Sequence, residues 1–346
     1  MKTISLDVHS EWSQMAVVTE DGEISLEMKV QTQGEELRRV VGGVPGPKRV
    51  VFEEGPMSAL IKDALEGVAD EIISCDPGHN ALIARAEDSN DERDTRRLAL
   101  LSRMGALHPV YVPAEPYRTL RSLVHYDYCL VQSITNVKNR IKGLYRRNGV
   151  RCKGTSAYRA AARQEMLERL PNAGLRWQME SLYRQLDTLH TERVGNRRIL
   201  ANQARKIDVI KRLPSIPGIS IRTAWVLVAW IVDPLRFKSR NTLSSYAGLG
   251  LGQGWTNWKP TGRARASKRG QRELKRMLFM AARAALQGDN ALTRRYEARR
   301  AAGWDDRKAI RDVARTLLFI VRAVWITGKE YQDGLVMVLT DADHTR

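Results

Sequence analysis

Apolar and polar positions alternate along several short segments at the start of the chain, which is the pattern of half-buried β-strands. The segments that show it are TISLDV, MAVVTE, EISLEMKV, KRVVFEEG and EIISCDP. A turn signal, EDG, separates the second segment from the third and predicts a hairpin. Helical spacing appears in the segments GEELRRVVGGV and SALIKDALEGVA. Strands that alternate with helices predict an α/β sheet for residues 1 to about 115.

Helical spacing dominates from residue 115 onward. One long helix is predicted over residues 115–150, and a second helical segment over 151–208. In the second segment, apolar residues follow the 4-3-4-3 spacing of a coiled-coil seam: Leu175, Met179, Leu182, Leu186 and Leu189. A seam this short can pair inside one chain as a helical hairpin or between two chains, and the pattern leaves both arrangements open.

The remaining residues, 209–346, predict helices around a loop-rich middle. Pro217-Gly218-Ile219 lies between two apolar helical segments, which is the arrangement of a helix-hairpin-helix turn. Backbone N–H groups of such a turn, with the following helix N-terminus, can hold a phosphate without reading bases. Gly218 and Arg222 are therefore candidate nucleic-acid contacts, although an ordinary tight turn has the same pattern. The predicted domains are 1–150, 151–208 and 209–346.

Charge narrows the class of partner. The chain of 346 residues carries 57 Lys and Arg against 39 Asp and Glu, a formal net charge of +18, which favours a polyanion such as nucleic acid. The excess lies in three separate segments, 138–151, 193–212 and 259–276. The first segment contributes these candidate contacts: Lys138, Arg140, Lys142, Arg146 and Arg147. Separated basic segments predict a long or multi-stranded ligand.

Cysteine usage and hydropathy exclude several other classes. The three cysteines, Cys75, Cys129 and Cys152, are widely spaced, which argues against a disulfide framework or a zinc site and favours the reducing cytoplasm. No window approaches the roughly eighteen apolar residues of a transmembrane helix, so no membrane partner is expected. The N-terminus, MKTISLDVHSEW, alternates in polarity and is unlike a signal peptide.

Acidic side chains are scarce in this basic chain, yet four of them occupy suggestive positions. Asp7 and Glu53 end two predicted strands, while Asp91 and Asp94 open a helical segment. On a helix, residues three apart share one face, so the last two carboxylates can point at one spot. Four carboxylates on a β/α frame suit hard cations such as Mg²⁺, and two such ions about 4 Å apart can clamp a phosphodiester. Taken alone, Asp91 would more often be a helix cap or a solvated charge.

These residues resemble the DEDD site of one group of mobile-element enzymes, the transposases of insertion-sequence family one hundred and ten and the related Piv-type DNA invertases. The segments that carry the resemblance are ISLDVHSE, VFEEGP and NDERDTRRLA, followed by LPSIPGISIRTAWVL, LSSYAGLG and SKRGQRELKRMLFMAARAAL. In the second segment Glu53 takes the acidic place, and Glu54 is the fallback. The resemblance covers roughly residues 1–325.

The resemblance implies a RuvC/RNase H-like N-terminal domain, a helical coiled-coil middle and a mostly helical C-terminal transposase domain. It implies Mg²⁺ held by Asp7, Glu53, Asp91 and Asp94. The implied partners are target and donor DNA and a structured noncoding RNA that pairs with both. The resemblance further implies homodimers that pair into a tetramer on DNA, so that the carboxylates of one subunit face the nucleophile loop of another.

In the family, a serine in the loop after the Y-A-G-L segment attacks the DNA phosphate. Here the loop reads GLGLGQGWTNWKPTGRARASKRG, and ungapped counting from either side puts Thr256 in the serine's place. Threonine carries a hydroxyl, but its branched Cβ is more crowded. Ser267 or Thr261 could instead be the nucleophile, or strand transfer could be lost. The aromatic and basic residues here are candidate nucleic-acid contacts: Trp255, Trp258, Lys259, Arg263, Arg265, Lys268 and Arg269.

The sequence therefore predicts a cytoplasmic, RNA-guided DNA recombinase that uses Mg²⁺ and a hydroxyl nucleophile. A protein guided by RNA reads shape and backbone, which fits basic segments that lack a compact base-reading motif. Two alternatives remain open. One is a metal-dependent RuvC-like nuclease in which water is the nucleophile, and the other is a non-catalytic nucleic-acid-binding derivative of a recombinase.

Overall fold

The computed structural model describes residues 1–78, 90–256, 259–266 and 270–334, and between 251 and 266 it describes the backbone. The chain divides into two compact units, Met1–Ala114 and Glu115–Arg346. The predicted boundary at 150 lies after this division, because the long helix that precedes it packs against helices of the second unit. The division into 1–150, 151–208 and 209–346 remains a prediction about which segments act together.

The first unit is built on a five-stranded mixed sheet, which confirms the predicted α/β region. Its strands are β1 (Lys2–Val8), β2 (Trp12–Val18), β3 (Ile24–Gln31), β4 (Lys48–Glu53) and β5 (Glu71–Cys75), in the order β3-β2-β1-β4-β5. The first three strands are antiparallel neighbours, while β4 runs parallel to both β1 and β5. The helices of this unit whose bounds the structure describes are α1 (Gly34–Gly42), α2 (Ser58–Leu65) and α3 (Asp91–Arg103).

The two faces of this sheet are covered by different helices. Because strand side chains alternate between faces, Leu6 and Phe52 lie in one apolar cluster with residues of α1 and α2. Val51 faces the other way and packs in a small cluster with Leu98 of α3. Helix α3 contacts β1, β2 and β4 on this side. The face covered by α3 is therefore the one that the odd-numbered positions of β1 and β4 occupy.

The second unit consists of helices and one hairpin. Its elements are α4 (Tyr117–Arg147), α5 (Ala160–Glu168), α6 (Ala173–Ala204), α7 (Val209–Arg212), α8 (Ile221–Ile231), α9 (Arg240–Tyr246), β6 (Leu251–Thr256), β7 (Lys259–Ala266), α10 (Arg272–Ala285), α11 (Ala291–Ala301) and α12 (Asp306–Thr327). Short 3₁₀ turns occupy 156–158, 213–215 and 234–236. Across the described part of the chain, none of these helices has both the length and the apolar character needed to cross a bilayer.

Helices α4 and α6 pack side by side and bury the predicted coiled-coil seam. Met179 and Leu186 of α6 are almost completely buried in a cluster that includes Ile134 and Ile141 of α4. Both helices repeat apolar residues at intervals of three and four, so the two stripes can face each other along their length. The seam is thus filled inside one chain. This agrees with the alternative in which the seam pairs as a helical hairpin within one chain.

Gly218, in the predicted helix-hairpin-helix turn, is fixed by packing. It adopts a positive φ of 80°, and a Cβ at this position would lie 2.2 Å from the carbonyl oxygen of Ala281. The following helix, α8, begins after Ser220, whose hydroxyl accepts a hydrogen bond from the N–H of Thr223 at 3.1 Å. The close approach of the turn to α10 therefore accounts for the glycine without any ligand.

The segment predicted as the loop-rich middle of the third region forms a hairpin instead. Strands β6 and β7 pair in antiparallel register, with Leu251 opposite Ala266 and Thr256 opposite Lys259. Alternating glycines in GLGLGQG predict a loop when read alone, because glycine is unfavourable inside a strand. The backbone hydrogen bonds to β7, where polar and apolar residues alternate in TGRARA, stabilise the extended form.

Met179→Ala should destabilise the second unit without changing the oligomeric state. The side chain is fully buried between α4 and α6, so its truncation should cost about 2–5 kcal/mol of unfolding free energy. Urea unfolding and light scattering measure the two quantities. Val194→Ala, at an exposed position of the same helix, is the control and should stay within about 0.5 kcal/mol. Dissociation of an oligomer by Met179→Ala would show that the seam pairs between chains.

Candidate metal centre

Asp7 and Glu53 occupy neighbouring positions at the ends of two parallel strands. Leu6 of β1 pairs with Phe52 of β4, and each acidic residue follows one of these. Both therefore lie on the sheet face that α3 covers, as the alternation of β-strand side chains requires. The parallel register thus brings the two strand ends side by side on one face of the sheet.

The third and fourth predicted carboxylates stand in the first turn of α3. Asn90 caps this helix: its side-chain oxygen accepts a hydrogen bond from the N–H of Arg93 at 2.8 Å. Asp91 and Asp94 are thereby held in the first turn, where the helix dipole favours negative charge. The carboxylate of Asp94 also accepts a hydrogen bond from Arg97 at 3.3 Å.

Asp7, Asp91 and a histidine that sequence reasoning missed come together in this structure. One possible ligand atom from each of Asp7, His9 and Asp91 lies within 4.8 Å of the others. The Nε2 atom of His9 is 3.3 Å from Asp7 and 3.7 Å from Asp91. The sequence did contain a signal for His9. It stands two residues after Asp7, and side chains two residues apart in an extended chain point to the same face.

Partial burial and neighbouring charges of both signs act on the Asp7 carboxyl. Partial burial raises the pKa of the Asp7 carboxyl, and the negative charges of Asp91 and Asp94 raise it further. His9 opposes the shift by its charge and its hydrogen bond to the carboxylate. A hard cation would compensate the negative charge that raises the pKa of Asp7. The donor set of Asp7, Asp91 and His9 therefore fits a divalent metal ion.

Glu53 and Asp94 lie outside that close group, within the part of the chain that the structure describes. Asp94 is nonetheless near enough to Asp7 to raise its pKa. Glu54, the fallback for Glu53, donates its backbone N–H to Cys75 at 2.8 Å and so continues the pairing of β4 with β5. The full set of four carboxylates as metal ligands remains a prediction.

The predicted nucleic-acid contacts fall on three parts of the second unit. Arg140, Arg146 and Arg147 are exposed on α4, whereas the ammonium groups of Lys138 and Lys142 each lie 5.3 Å from the ring centre of Tyr158. Arg222 is exposed in the first turn of α8. Four further described contacts have backbone positions on β6 and β7: Trp255, Lys259, Arg263 and Arg265. The nucleophile candidates Thr256 and Thr261 lie on the same two strands. The candidates Trp258, Ser267, Lys268 and Arg269 lie outside the described residues.

Two family models and one curated protein are similar to parts of this chain. Residues 4–147 match a family model for the DEDD domain of IS110 elements, described as a transposase. Residues 210–297 match the model described as "Transposase IS116/IS110/IS902 family". The "Insertion element IS110 uncharacterized 43.6 kDa protein" of Streptomyces coelicolor is 32% identical over 127 residues, 36% of this chain. The aligned part spans 30% of that relative's length.

Asp91→Asn should lower the pKa of the Asp7 carboxyl. The substitution removes a negative charge that raises this pKa, so ionised Asp7 becomes less unfavourable. A carboxyl-carbon NMR titration in metal-free buffer measures the change. The control is Glu35→Gln on α1, which covers the opposite face of the sheet and should leave the titration unchanged. An unchanged or higher Asp7 pKa in Asp91→Asn would contradict this electrostatic account.

Proposed function

Because the chain belongs to the IS116/IS110/IS902 family of transposases, we propose that it is a DNA recombinase of an insertion sequence, which cuts and rejoins DNA strands. The observation that carries the proposal is the meeting of Asp7, His9 and Asp91 at the end of β1 and the start of α3. The family matches cover both this unit and the helical region that follows it. A RuvC/RNase H-like architecture for the first unit is part of the proposal.

In this proposal Asp7 and Asp91, with Glu53 and Asp94 nearby, hold Mg²⁺. When bound, the ion would supply Lewis-acid stabilisation of a phosphodiester under attack. The chain's own residues keep the acceptors in place. Arg97 holds Asp94 by a hydrogen bond, and Asn90 holds the first turn of α3 through its cap. His9 lies beside both central carboxylates, and its charge and hydrogen bond lower the pKa of the Asp7 carboxyl.

Thr256 is the proposed nucleophile. Its hydroxyl would attack the DNA phosphorus, forming a phosphothreonine ester, releasing a deoxyribose hydroxyl and losing its proton to solvent. The position is supported by the resemblance of the flanking segments and by the backbone, which places Thr256 at the end of β6 beside the turn of the hairpin. Thr261 on β7 and Ser267 are the alternatives for the same role.

The proposed partners are target and donor DNA and a structured noncoding RNA that guides the choice of both. The net charge of +18 and the exposed arginines on α4 support a polyanionic partner. The proposal includes action in the cytoplasm and assembly of dimers into a tetramer on DNA. In this proposal the assembly uses surfaces other than the side chains buried between α4 and α6.

A metal-dependent nuclease is the second candidate. The observation that favours it is the threonine where the family resemblance calls for serine, since a branched side chain is a more crowded nucleophile. The carboxylate cluster alone could serve a reaction in which water attacks the phosphate. A nuclease forms no covalent bond with DNA, so trapping of an adduct separates the two candidates. A non-catalytic derivative would bind nucleic acid and show neither activity.

Asp91→Asn should abolish Mg²⁺-dependent strand cleavage, with a loss of at least about 10²-fold in rate, while nucleic-acid binding persists. The physical reason is that one ligand charge is removed from a site that needs a cation. Gel assays with supercoiled DNA and isothermal titration with Mn²⁺ measure cleavage and metal binding. Glu92→Gln, which changes the adjacent exposed acid on the same helix, is the matched control. Wild-type cleavage in Asp91→Asn would exclude this site.

Thr256→Ala should lose both the covalent protein–DNA adduct and strand transfer, because the attacking oxygen is removed. Thr256→Ser should retain both, since serine has the same hydroxyl without the γ-methyl group. Peptide mapping of denatured adducts locates the esterified residue. An adduct on Ser267 or Thr261 would move the role there, and the absence of any adduct with intact cleavage would favour the nuclease.

Protein purified at low salt should carry one discrete RNA, and its affinity should fall steeply with salt. Each phosphate contact by Lys or Arg releases a counterion, so about six to ten contacts cost roughly 10³–10⁵ in affinity between 50 and 200 mM salt. Sequencing of the bound RNA and filter binding at several salt concentrations measure both effects. If only mixed cellular RNA is recovered and its removal leaves recombination intact, RNA guidance is wrong.

A further inference from the structure

A groove of about 910 Å³ runs between the C-terminal part of α4 and the N-terminal part of α6. On α4 it is lined by Arg140, Gly143 and Arg147, which share one helix face through their spacing of three and four. Across the groove stand Trp177 and Gln185 of α6, eight residues apart and so on one face as well. Leu144 and Leu182 of the buried cluster between the two helices also line the groove, which therefore borders the apolar seam.

Trp177 is the most unusual residue of this groove. Its side chain is 65% exposed, although Trp is normally one of the most deeply buried residue types by area. It lies on a well-formed part of α6, just after the helix start, and the apolar seam of that helix does not need it. An exposed indole beside guanidinium groups is the combination on which unpaired bases stack.

The arginines of the groove are available for a ligand. Arg140, Arg146 and Arg147 are exposed and make no ion pair with any carboxylate among the described residues. The lining contains no acidic side chain. Farther along the same helix pair the situation differs: Arg193 binds Asp127 at 3.1 Å. Positive charge is therefore concentrated at this end of the pair and not neutralised there.

Gly143 keeps the floor of the groove open. It stands inside α4, where glycine is less stable than alanine, and a Cβ added to it would meet nothing within 4 Å. Packing therefore does not require glycine at this position, in contrast to Gly218. A larger side chain at this lining position would project into the groove.

The basic surface continues past the groove. Arg146 also lines a neighbouring cavity of about 330 Å³, together with Arg151 and Lys153. An extended phosphate backbone that leaves the groove at Arg146 thus meets further cations along its path. Duplex DNA cannot use the exposed indole in this way, because its base faces are covered by stacking within the helix.

We propose that this groove binds an unpaired stretch of RNA, with one base stacked on Trp177 and the adjoining phosphates on Arg140 and Arg147. Two further lining residues, Gln178 and Gln185, can both donate and accept hydrogen bonds, which suits the 2′-hydroxyl of RNA. The inference rests on the proposed function in assuming an RNA partner. It adds the binding site, which is the groove between α4 and α6, and the kind of RNA segment that binds there, which is unpaired.

The test is the affinity of the full chain for a fluorescent oligouridylate of roughly twelve nucleotides, measured by anisotropy. EDTA is present so that no strand cleavage occurs, and about 0.3 M salt suppresses general counterion release. Trp177→Ala should weaken binding roughly 5- to 150-fold, the loss expected for one stacked base, whereas Trp177→Phe should restore most of it. Tyr126→Ala, at another exposed aromatic of the helix pair, should have no effect.

A second pair of variants separates binding from folding. Gly143→Leu should weaken RNA binding by filling the groove while it raises the thermal unfolding midpoint. The matched control is Gly195→Leu on α6, where a Cβ likewise meets nothing within 4 Å, and it should raise the midpoint without weakening binding. Loss of affinity with a gain in stability has no purely structural explanation.

Three results would overturn the inference. Wild-type RNA affinity in both Trp177→Ala and Gly143→Leu would show that the groove is not the site. If Trp177→Ala weakened the binding of oligothymidylate DNA more than the binding of RNA, the groove would be a DNA-binding site. A changed oligomeric state of Trp177→Ala by light scattering, with unchanged RNA affinity, would make this face a contact between copies of the chain. Failure of strand transfer would alter none of these affinities, so the two proposals fail separately.

Discussion

The parallel pairing of β1 with β4, covered on one side by α3, is the constraint on which the candidate site depends. Leu6 and Phe52 are drawn into the apolar cluster on one face, and the next residue of each strand must then face α3. A slip of one residue would carry Asp7 into the apolar core, where an ionised carboxylate is very unfavourable. Burial of hydrocarbon thus fixes the carboxylates in place, and the raised pKa of Asp7 is a consequence.

The strands and the ends that carry Asp7 and Glu53 could be predicted because alternation is a local signal and parallel strand ends meet by geometry. His9 could not be found in this way. Its distance to Asp91 depends on where α3 crosses the sheet, which no local pattern reports. The hairpin of β6 and β7 was missed for a related reason: its alternating glycines disfavour a strand locally, while its stabilising hydrogen bonds come from residues farther along the chain.

The apolar seam on α6 shows what the spacing of apolar residues cannot predict, which is the partner that covers them. A 3.5-residue spacing specifies that a stripe is covered but not what covers it. Here α4 supplies a complementary stripe, so Met179 is buried without a second chain. Glycines carry the same ambiguity in sequence. Gly218 is required because α10 approaches its backbone, whereas a Cβ on Gly143 would meet nothing within 4 Å, and only the contacts distinguish a packing constraint from an open surface.

The same reasoning applies to the 57 basic residues, since net charge counts them all alike. Asp127 accepts hydrogen bonds from both Arg193 and Arg197, and Asp312 likewise from both Arg295 and Arg299. Guanidiniums held by carboxylates are already oriented and partly neutralised, so they offer less to a phosphate than unpaired ones. Nucleic-acid affinity should therefore depend mainly on basic side chains that have no carboxylate partner and lie next to an aromatic side chain or to backbone N–H groups that can bind a phosphate. In the described part of the second unit, the groove beside Trp177 has that combination, which total charge alone does not reveal.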